Sequence, residues 1–227
     1  MLQANIPNQC SMLLIGSPGI GLLEFNVSLA KDSLERGEVV VFVAVDGRAR
    51  DVIETMDSFG VKTSDLLGKR LFLLDYHSTL LGSSEEKPLQ GSGVRNISDL
   101  EAIMFNIATI ANETKARVRI FIYTLSTLFL YNQPNVVLKF FQMSASRIRT
   151  EFGSVVVSLH DGVHDEKTVN HLMAIADGVI ELRFDDDLNK MMRVRNMRGV
   201  PTSPQWVPFD IVTGEEDSQT RVLEWKT

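Results

Sequence analysis

The sequence predicts an α/β fold with a mostly parallel central sheet, flanked by helices and extended at its C-terminal end by antiparallel strands. Short runs rich in β-branched residues alternate with longer stretches of helical periodicity, as in strands joined by helical crossovers. The runs from Val39 to Val45 and from Val155 to Leu159 lack polar alternation, which indicates strands covered on both faces. Beyond Val179, short strands follow one another through turns, which indicates the antiparallel extension.

The 227 residues suit one domain, and we expect a single domain over residues 1–227. The hydrophobic content of 44% and the charged content of 23% are those of an ordinary globular protein. The net charge of -6 argues against a dominant surface for nucleic acid or an anionic membrane. Cys10 is the single cysteine and cannot form an internal disulfide, so we expect a cytoplasmic protein. We expect no secretory signal and no membrane span, because every apolar run is too short.

In the first half of the chain, apolar runs predict strands and periodic stretches predict helices, two of which end at Gly37 and Gly60. The predicted elements are a strand from Ser11 to Ile15, a helix from Leu22 to Arg36, a strand from Val39 to Val45, a helix from Asp51 to Phe59 and a strand from Leu71 to Leu74. The stretch from Gly82 to Gly93 is rich in Gly, Ser and Glu and is predicted to be a mobile surface loop.

In the second half, Ser98 and Glu101 have the spacing of a capping box, which predicts a helix from there to about Thr114. The other predicted elements are a strand from Val118 to Leu125, a helix from Val136 to Phe152 stopped by Gly153, a strand from Val155 to Leu159, a helix from Lys167 to Ala176, and strands Val179 to Phe184, Met191 to Met197 and Val207 to Val212.

The segment LLIGSPGIGLLEF has the outline of a phosphate-binding loop between a strand and a helix. A loop of the form G-x-x-x-x-G-K-S/T needs backbone N–H groups around the phosphates, a lysine for the β- and γ-phosphates and a hydroxyl for Mg²⁺. Gly16, Gly19 and Gly21 are present, but Leu22 and Leu23 stand where the lysine and the hydroxyl residue belong. The loop therefore keeps its glycines and lacks the charged and metal-binding side chains.

Two interpretations of this loop remain open. Backbone N–H groups at a helix N-terminus can hold an anion without a lysine, so ATP, ADP or another anion remains a candidate ligand. Alternatively, the loop is a tight turn whose two leucines face the core, and we prefer this interpretation because a phosphate beside apolar side chains would lack charge compensation. The candidate binding residues are Gly16, Ser17, Pro18, Gly19, Ile20 and Gly21.

A second candidate site follows the strand that ends near Leu159. Imidazole and carboxylate groups cluster there, at the edge where open α/β sheets place their sites. The alternative is a polar loop that caps the next helix, and we prefer it because no metal-binding spacing is present. The members of the cluster are His160, Asp161, His164, Asp165 and Glu166.

The densest group of basic residues lies in the C-terminal extension, where strand alternation puts Arg193 and Arg195 on one face. Such a face can contact a subunit or nucleic acid. We prefer a solvated face, paired across a short hairpin with the acidic run Asp185 to Asp187.

Taken in order, these segments resemble the KaiC and RadA branch of RecA-fold ATPases from about Asn8 to Val212. The resemblance rests on GSPGIG after the first strand, VVFVAVDGRARDVIETMDSFG, IADGVIELRF, and MRVRNMRG followed by PFDIV. It implies a RecA-like P-loop fold, with ATP bound between neighbouring subunits of a ring or filament.

The resemblance also implies a role for particular positions, and most of these have been replaced. The strand aspartate that helps to hold Mg²⁺ falls at Tyr123, and the paired glutamates after the second strand fall at Asp46 and Gly47. The K-x-R pair that reaches the neighbour's nucleotide falls at Asn196 and Arg198, so Arg198 is the retained candidate for a subunit interface.

Phosphoryl transfer depends on positioning and on charge neutralisation, and loss of one such group commonly costs on the order of 100-fold in rate. We therefore expect no ATP turnover, no bound metal and a role through protein contacts, either with a partner or by self-association. A module that binds a nucleotide without hydrolysis is the alternative, and an accessory factor in DNA recombination or repair is a third, which the net charge disfavours.

Overall fold

The computed structural model describes residues 7–80, 82, 93–213 and 221–225. The described strands are β1 (Ser11–Gly16), β2 (Val39–Ala44), β3 (Leu71–Asp75), β4 (Val94–Asn96), β5 (Val118–Tyr123), β6 (Gly153–His160), β7 (Gly178–Phe184), β8 (Lys190–Met197), β9 (Val207–Thr213) and β10 (Arg221–Trp225). The described helices are α1 (Leu22–Glu35), α2 (Ala49–Ser58), α3 (Thr63–Leu66), α4 (His77–Leu80), α5 (Leu100–Thr114), α6 (Leu125–Tyr131), α7 (Pro134–Arg147) and α8 (Glu166–Ile175).

These strands form one sheet in the order β10-β9-β8-β7-β1-β6-β5-β2-β3-β4. The strands from β1 to β7 pair in parallel, whereas β8, β9 and β10 add antiparallel pairs at one edge. The predicted fold class is confirmed, including the C-terminal antiparallel extension. Among the described helices, none is long and apolar enough to cross a membrane.

The central strand β1 explains why the sequence shows no polar alternation. Its side chains alternate between the two faces of the sheet, and helices cover both faces. Leu13 and Ile15 join the apolar core on the side of α5, α7 and α8, while Met12 and Leu14 join the core on the side of α1 and α2. Every residue of β1 is buried. Both faces therefore select apolar residues at successive positions.

Some predicted boundaries were wrong, and the reasons are local. The strand predicted to run to Leu125 ends at Tyr123, because Thr124 accepts a hydrogen bond from the Thr127 N–H group and so caps a helix, α6. The predicted cap at Ser98 is also wrong, since Asp99 accepts the hydrogen bond from the Ala102 N–H group at 2.7 Å.

The long helix predicted from Val136 begins two residues earlier, with a proline in its first turn, where the missing N–H costs nothing. The α-helix ends at Arg147 and continues as a π-helical turn to Phe152. Gly153, predicted as a stop, is the first residue of β6. The predicted loop between Gly82 and Gly93 lies outside the described residues except at its two ends.

Candidate functional site

The glycine loop connects the end of β1 to the start of α1, at the edge of the sheet formed by the carboxyl ends of the parallel strands. Gly19 and Gly21 have φ angles of +80° and +90°, in the left-handed region that residues with a Cβ adopt at a cost. The Ser17 N–H donates to the Leu182 carbonyl, and the Ile20 N–H donates to the Ser17 carbonyl, both at 3.1 Å. Part of the loop's backbone is therefore satisfied within the chain.

Apolar side chains fold over the start of the loop. A Cβ built on Gly16 would lie 2.9 Å from Leu22 Cδ1 and 3.1 Å from Ile20 Cγ2. Leu22 and Ile20 are buried members of the core on the α1 side. Leu23 is half-buried and packs against the same core. The expectation that the leucines face the core holds fully for Leu22 and in part for Leu23, whereas ligand binding by the six loop residues stays a prediction.

The C-terminal extension covers the other side of the loop. A Cβ built on Gly21 would lie 2.5 Å from Ile211 Cδ1 of β9, with Glu24 Oε2 at 3.6 Å and Lys190 Nζ at 3.8 Å. Behind this contact, the rings of Phe25 and Phe209 meet edge to face, with centroids 5.6 Å apart. Glu24 is in the first turn of α1, so a carboxylate already interacts with the positive end of this helix dipole.

Tyr123 occupies the position of the expected metal-binding aspartate, at the end of β5. Burial, together with the negative charges of Asp46 and Glu24, raises the pKa of this phenol. The phenol is therefore neutral at physiological pH and supplies no negative charge to a cation. Its ring meets the His160 imidazole edge to face, with centroids 6.4 Å apart.

Asp46 occupies the position of one expected glutamate, and its carboxylate is held by the chain itself. Thr127 Oγ1 donates to Asp46 Oδ1 at 2.5 Å, and His160 Nε2 lies 3.3 Å from Asp46 Oδ2. The hydrogen bond from His160 lowers the pKa of Asp46, with further contributions from Thr127 and from the charge of His77, against the opposing effect of burial. This arrangement keeps Asp46 ionised and occupies both of its oxygens.

Ser126 lies next to this group and joins the two candidate histidines. The backbone N–H of His160 donates to Ser126 Oγ at 2.9 Å, and the ring atom His164 Nε2 lies 2.9 Å from the same oxygen. The hydroxyl has one proton and two acceptor lone pairs, so it can bond either tautomer of the His164 imidazole while accepting from the backbone N–H of His160. Burial lowers the pKa of His164, with Asp165 opposing and His160 adding to the shift, which favours the neutral imidazole.

The remaining members of the histidine and carboxylate cluster do not converge. Asp165 caps α8 by accepting from the Thr168 N–H at 2.9 Å, as the preferred interpretation expects. Asp161 and Glu166 are exposed. Over the described ranges, no group of three or more His, Cys, Asp and Glu side chains is placed to hold a metal ion.

Arg198 lies at the end of the sheet where the parallel strands begin, opposite to the end that carries the glycine loop. Its Nη1 is 2.7 Å from Asp177 Oδ1, and Asp177 binds Ser11 at the start of β1. Because β1 has six residues, its two ends are about 20 Å apart. Arg198 therefore cannot reach the loop of its own chain, and its role at a subunit interface stays a prediction.

The partner predicted for the basic residues was wrong. Arg193 Nε and Arg195 Nη1 both bind the carboxylate of Glu181, the latter at 3.0 Å. The antiparallel register pairs Glu181 with Arg193 directly, whereas Asp185 accepts hydrogen bonds from N–H groups within its own turn. Sequence reasoning missed Glu181, Ser126 and Thr127. The T-x-x-T spacing of a helix cap was the one available signal, and it points to Thr127.

Comparisons with known proteins match this fold. A family model described as "ATPase: KaiC" matches residues 1–216. UPF0273 proteins from Pyrococcus horikoshii and Thermotoga maritima are 25% and 26% identical to the chain, each over 93% of it and over 86% and 88% of the relative. The circadian clock protein KaiC2 from Synechocystis is 29% identical over 55% of this chain and 20% of that protein. A KaiC-like protein of known structure from Pyrococcus horikoshii shares the fold, with a TM-score of 0.71 and 18% identity over 98% of this chain and 92% of that chain.

Proposed function

The chain belongs to the KaiC family of ATPases, and from that premise we propose that this member has lost ATP turnover and acts through protein contacts, in a regulatory or assembly role. The observation that carries the proposal is the position of Leu22. In a working loop this residue is a lysine that neutralises the β- and γ-phosphates. Here its side chain is 5% exposed and lies against Gly16 in the core, so it offers neither charge nor space to a phosphate.

The acidic positions support the same conclusion. The phenol of Tyr123 is neutral and half-buried, so it is a poor replacement for a carboxylate that binds Mg²⁺. Asp46 is ionised, but Thr127 and His160 already contact its oxygens. Since phosphoryl transfer depends on these charges, their joint loss is expected to remove the reaction rather than to slow it slightly.

One observation favours a second candidate function, a nucleotide-binding module without hydrolysis. The backbone at Gly19 and Gly21 keeps the left-handed conformations that a phosphate-binding loop uses, with no neighbouring atom within 4 Å of a Cβ placed on Gly19. In both cases the buried single thiol of Cys10 suits a reducing cytosol.

Thermal unfolding and phosphate release together test the proposal. Ligand at 100 times its dissociation constant adds about 2.7 kcal/mol to the stability of the folded state, and each kcal/mol raises Tm by about 2–4 °C in a chain of this size. We expect millimolar ATP or ADP with Mg²⁺ to leave Tm unchanged and to release no phosphate above the buffer rate.

A rise in Tm without phosphate release would favour the nucleotide-binding module. Magnesium-dependent phosphate release would overturn the proposal if it falls in the Gly19→Ala variant and persists in a matched change far from the loop, Gly199→Ala. Gly199 has a positive φ and no atom within 4 Å of an added Cβ, so it controls for the backbone effect.

A further inference from the structure

An open apolar groove lies between α5 and α7, away from the glycine loop. Its volume is about 1130 Å³. Phe105 on α5 is 71% exposed, and Met143 and Val136 on α7 are 61% and 44% exposed. Met104 and Phe140 line the groove between them and are half-buried.

Phe105, Val136 and Met143 are additional to the residues that fasten the two helices to the sheet, whereas Met104 and Phe140 also pack against the core. The core-facing side of α5 carries Ile103, Ile107 and Ile110, and that of α7 carries Val137 and Phe141, all of them buried. Each helix therefore also carries exposed apolar side chains on its outer side, Phe105 on α5 and Val136 and Met143 on α7. An amphipathic surface helix usually presents polar residues there, and contiguous exposed apolar surface commonly marks a contact with another protein.

The rim of the groove carries opposite charges on its two walls. Glu101 stands on the α5 wall and Lys139 on the α7 wall, and both are exposed. At the far end, Arg147 Nε and Glu151 Oε2 neutralise each other at 2.9 Å. Glu101 on one wall and Lys139 on the other give the rim one pair of opposite charges, which a second copy turned by a two-fold axis can match.

The direction of the helices agrees with such a pairing. α5 precedes β5 and α7 precedes β6, and these neighbouring strands are parallel, so the two helices run the same way. A two-fold axis along the groove then places α5 of one copy over α7 of the other. Glu101 would face Lys139 of the partner subunit, and Phe105 would enter the groove beside the partner's Met143.

We propose that this groove, defined by α5 and α7, is a self-association surface through which two copies of the chain form an isologous dimer. This surface would serve the protein contacts of the proposed function, on which the inference rests. It lies away from the glycine loop. Helices of 14 and 15 residues extend about 21 Å, and two of them side by side span about 20 Å, giving a face near 400 Å². This is below the ~800 Å² per partner of a standard interface, so the dimer is weak and depends on concentration.

Sedimentation equilibrium of the full chain, without nucleotide, tests the dimer between about 1 and 500 μM, a range chosen to bracket the micromolar affinities of weak complexes. We expect the average mass to rise from 25.4 kDa towards twice that value. Phe105→Glu and Met143→Glu should each weaken association at least ~10-fold, because a charge would then be buried in the contact. Leu188→Glu, at an apolar residue that is 77% exposed in the β7–β8 turn, is the matched control and should leave association unchanged.

A charge exchange provides the second arm of the test. Glu101→Lys alone should weaken the dimer by placing two lysines together, and the double variant with Lys139→Glu should restore it. A wild-type chain that stays monomeric over the whole range overturns the inference, whether or not another protein uses the groove. So does a dimer that is indifferent to Phe105→Glu. The measured mass does not depend on ATP turnover, so this inference and the proposed function can fail separately.

Discussion

Arg198 Nη1 lies 2.7 Å from Asp177 Oδ1, and Arg149 Nη1 approaches the same oxygen at 2.7 Å. The Asp177 side chain is 6% exposed, and its other oxygen accepts hydrogen bonds from the N–H and hydroxyl of Ser11. This one carboxylate therefore joins the start of β1, the π-helical turn and the turn after β8. The arginine that the family resemblance assigns to a neighbour's nucleotide is bound within its own chain.

We predict that Asp177→Asn lowers the free energy of unfolding by about 2 kcal/mol at pH 7, since it weakens hydrogen bonds to charged groups. Burial raises the pKa of Asp177, but the bonds from Ser11 and the charges of Arg149 and Arg198 outweigh it and leave the pKa below its usual range. A carboxyl with a lowered folded pKa stabilises above its unfolded pKa, near 3.9, and loses that effect as pH falls through the folded value.

The difference between wild type and Asp177→Asn should therefore shrink below about pH 4, as measured by urea unfolding at several pH values. Asp186→Asn, at an exposed position in the β7–β8 turn, is the control and should change stability little. A loss that is equally large at pH 7 and at the acid end would contradict the prediction.

We predict that Gly21→Ala destabilises the protein more than Gly19→Ala. Both substitutions force alanine into the left-handed region, at about 1–2 kcal/mol. The added Cβ at residue 21 also lies 2.5 Å from Ile211 Cδ1, whereas at residue 19 it meets nothing within 4 Å. Chemical unfolding of both variants measures the difference.

The contribution of Ile211 to this difference can be isolated. In the background of Ile211→Ala, the extra cost of Gly21→Ala over Gly19→Ala should largely disappear, because the obstructing methyl group is gone. Equal costs for the two glycine variants in the wild-type background would show that β9 does not lie over the loop.

We predict that Leu22→Ala costs about 2–4 kcal/mol and that Leu23→Ala costs about 1 kcal/mol. Leu22 is buried in the core, whereas Leu23 is half-buried beside it. The neighbouring pair is its own matched comparison, since both changes remove the same atoms in the same turn of helix. Similar small costs for both, measured by urea unfolding, would mean that Leu22 does not fill the loop.

We predict that the Cys10 thiol is unreactive in the folded protein. It is 3% exposed and donates to the Pro7 carbonyl at 3.2 Å. Burial raises its pKa to about 12, with a smaller opposing effect from the charge of Arg119 and a further small increase from Asp177. Because the thiolate is the reacting form, an aromatic disulfide reagent at pH 8 should react at least ~100-fold more slowly with native than with unfolded protein. Ser203→Cys, at an exposed position, should react at once, and rapid loss of both thiols would refute the prediction.

The sequence was sufficient for the parts of the fold that depend on local pattern. Unbroken valine runs place β2 and β6, because burial on both faces leaves no other choice of residue. The start of α6 was missed because Leu125 extends the apolar run of β5, and an apolar run by itself does not distinguish a strand from a buried helix. β4 has three residues, too few for any periodicity.

The site was less predictable, because its contacts join distant segments. Asp46 meets Thr127 and His160 across separations of 81 and 114 residues, which no local pattern encodes. The replacement of the loop's lysine by Leu22 is visible in the sequence itself. A Leu22 that faces the core was one of two interpretations of the loop, and the sequence alone does not decide between them, since the result depends on Ile20 and on the packing of α1 against the sheet.

The contact of Ile211 with Gly21 has a consequence for how the molecule is handled. Strand β9 is far from α1 in the sequence, yet its side chains Phe209 and Ile211 pack against the start of that helix. Truncation that removes β9 would expose Phe25, which is 1% exposed in the intact fold. The apolar surface uncovered in this way would favour aggregation.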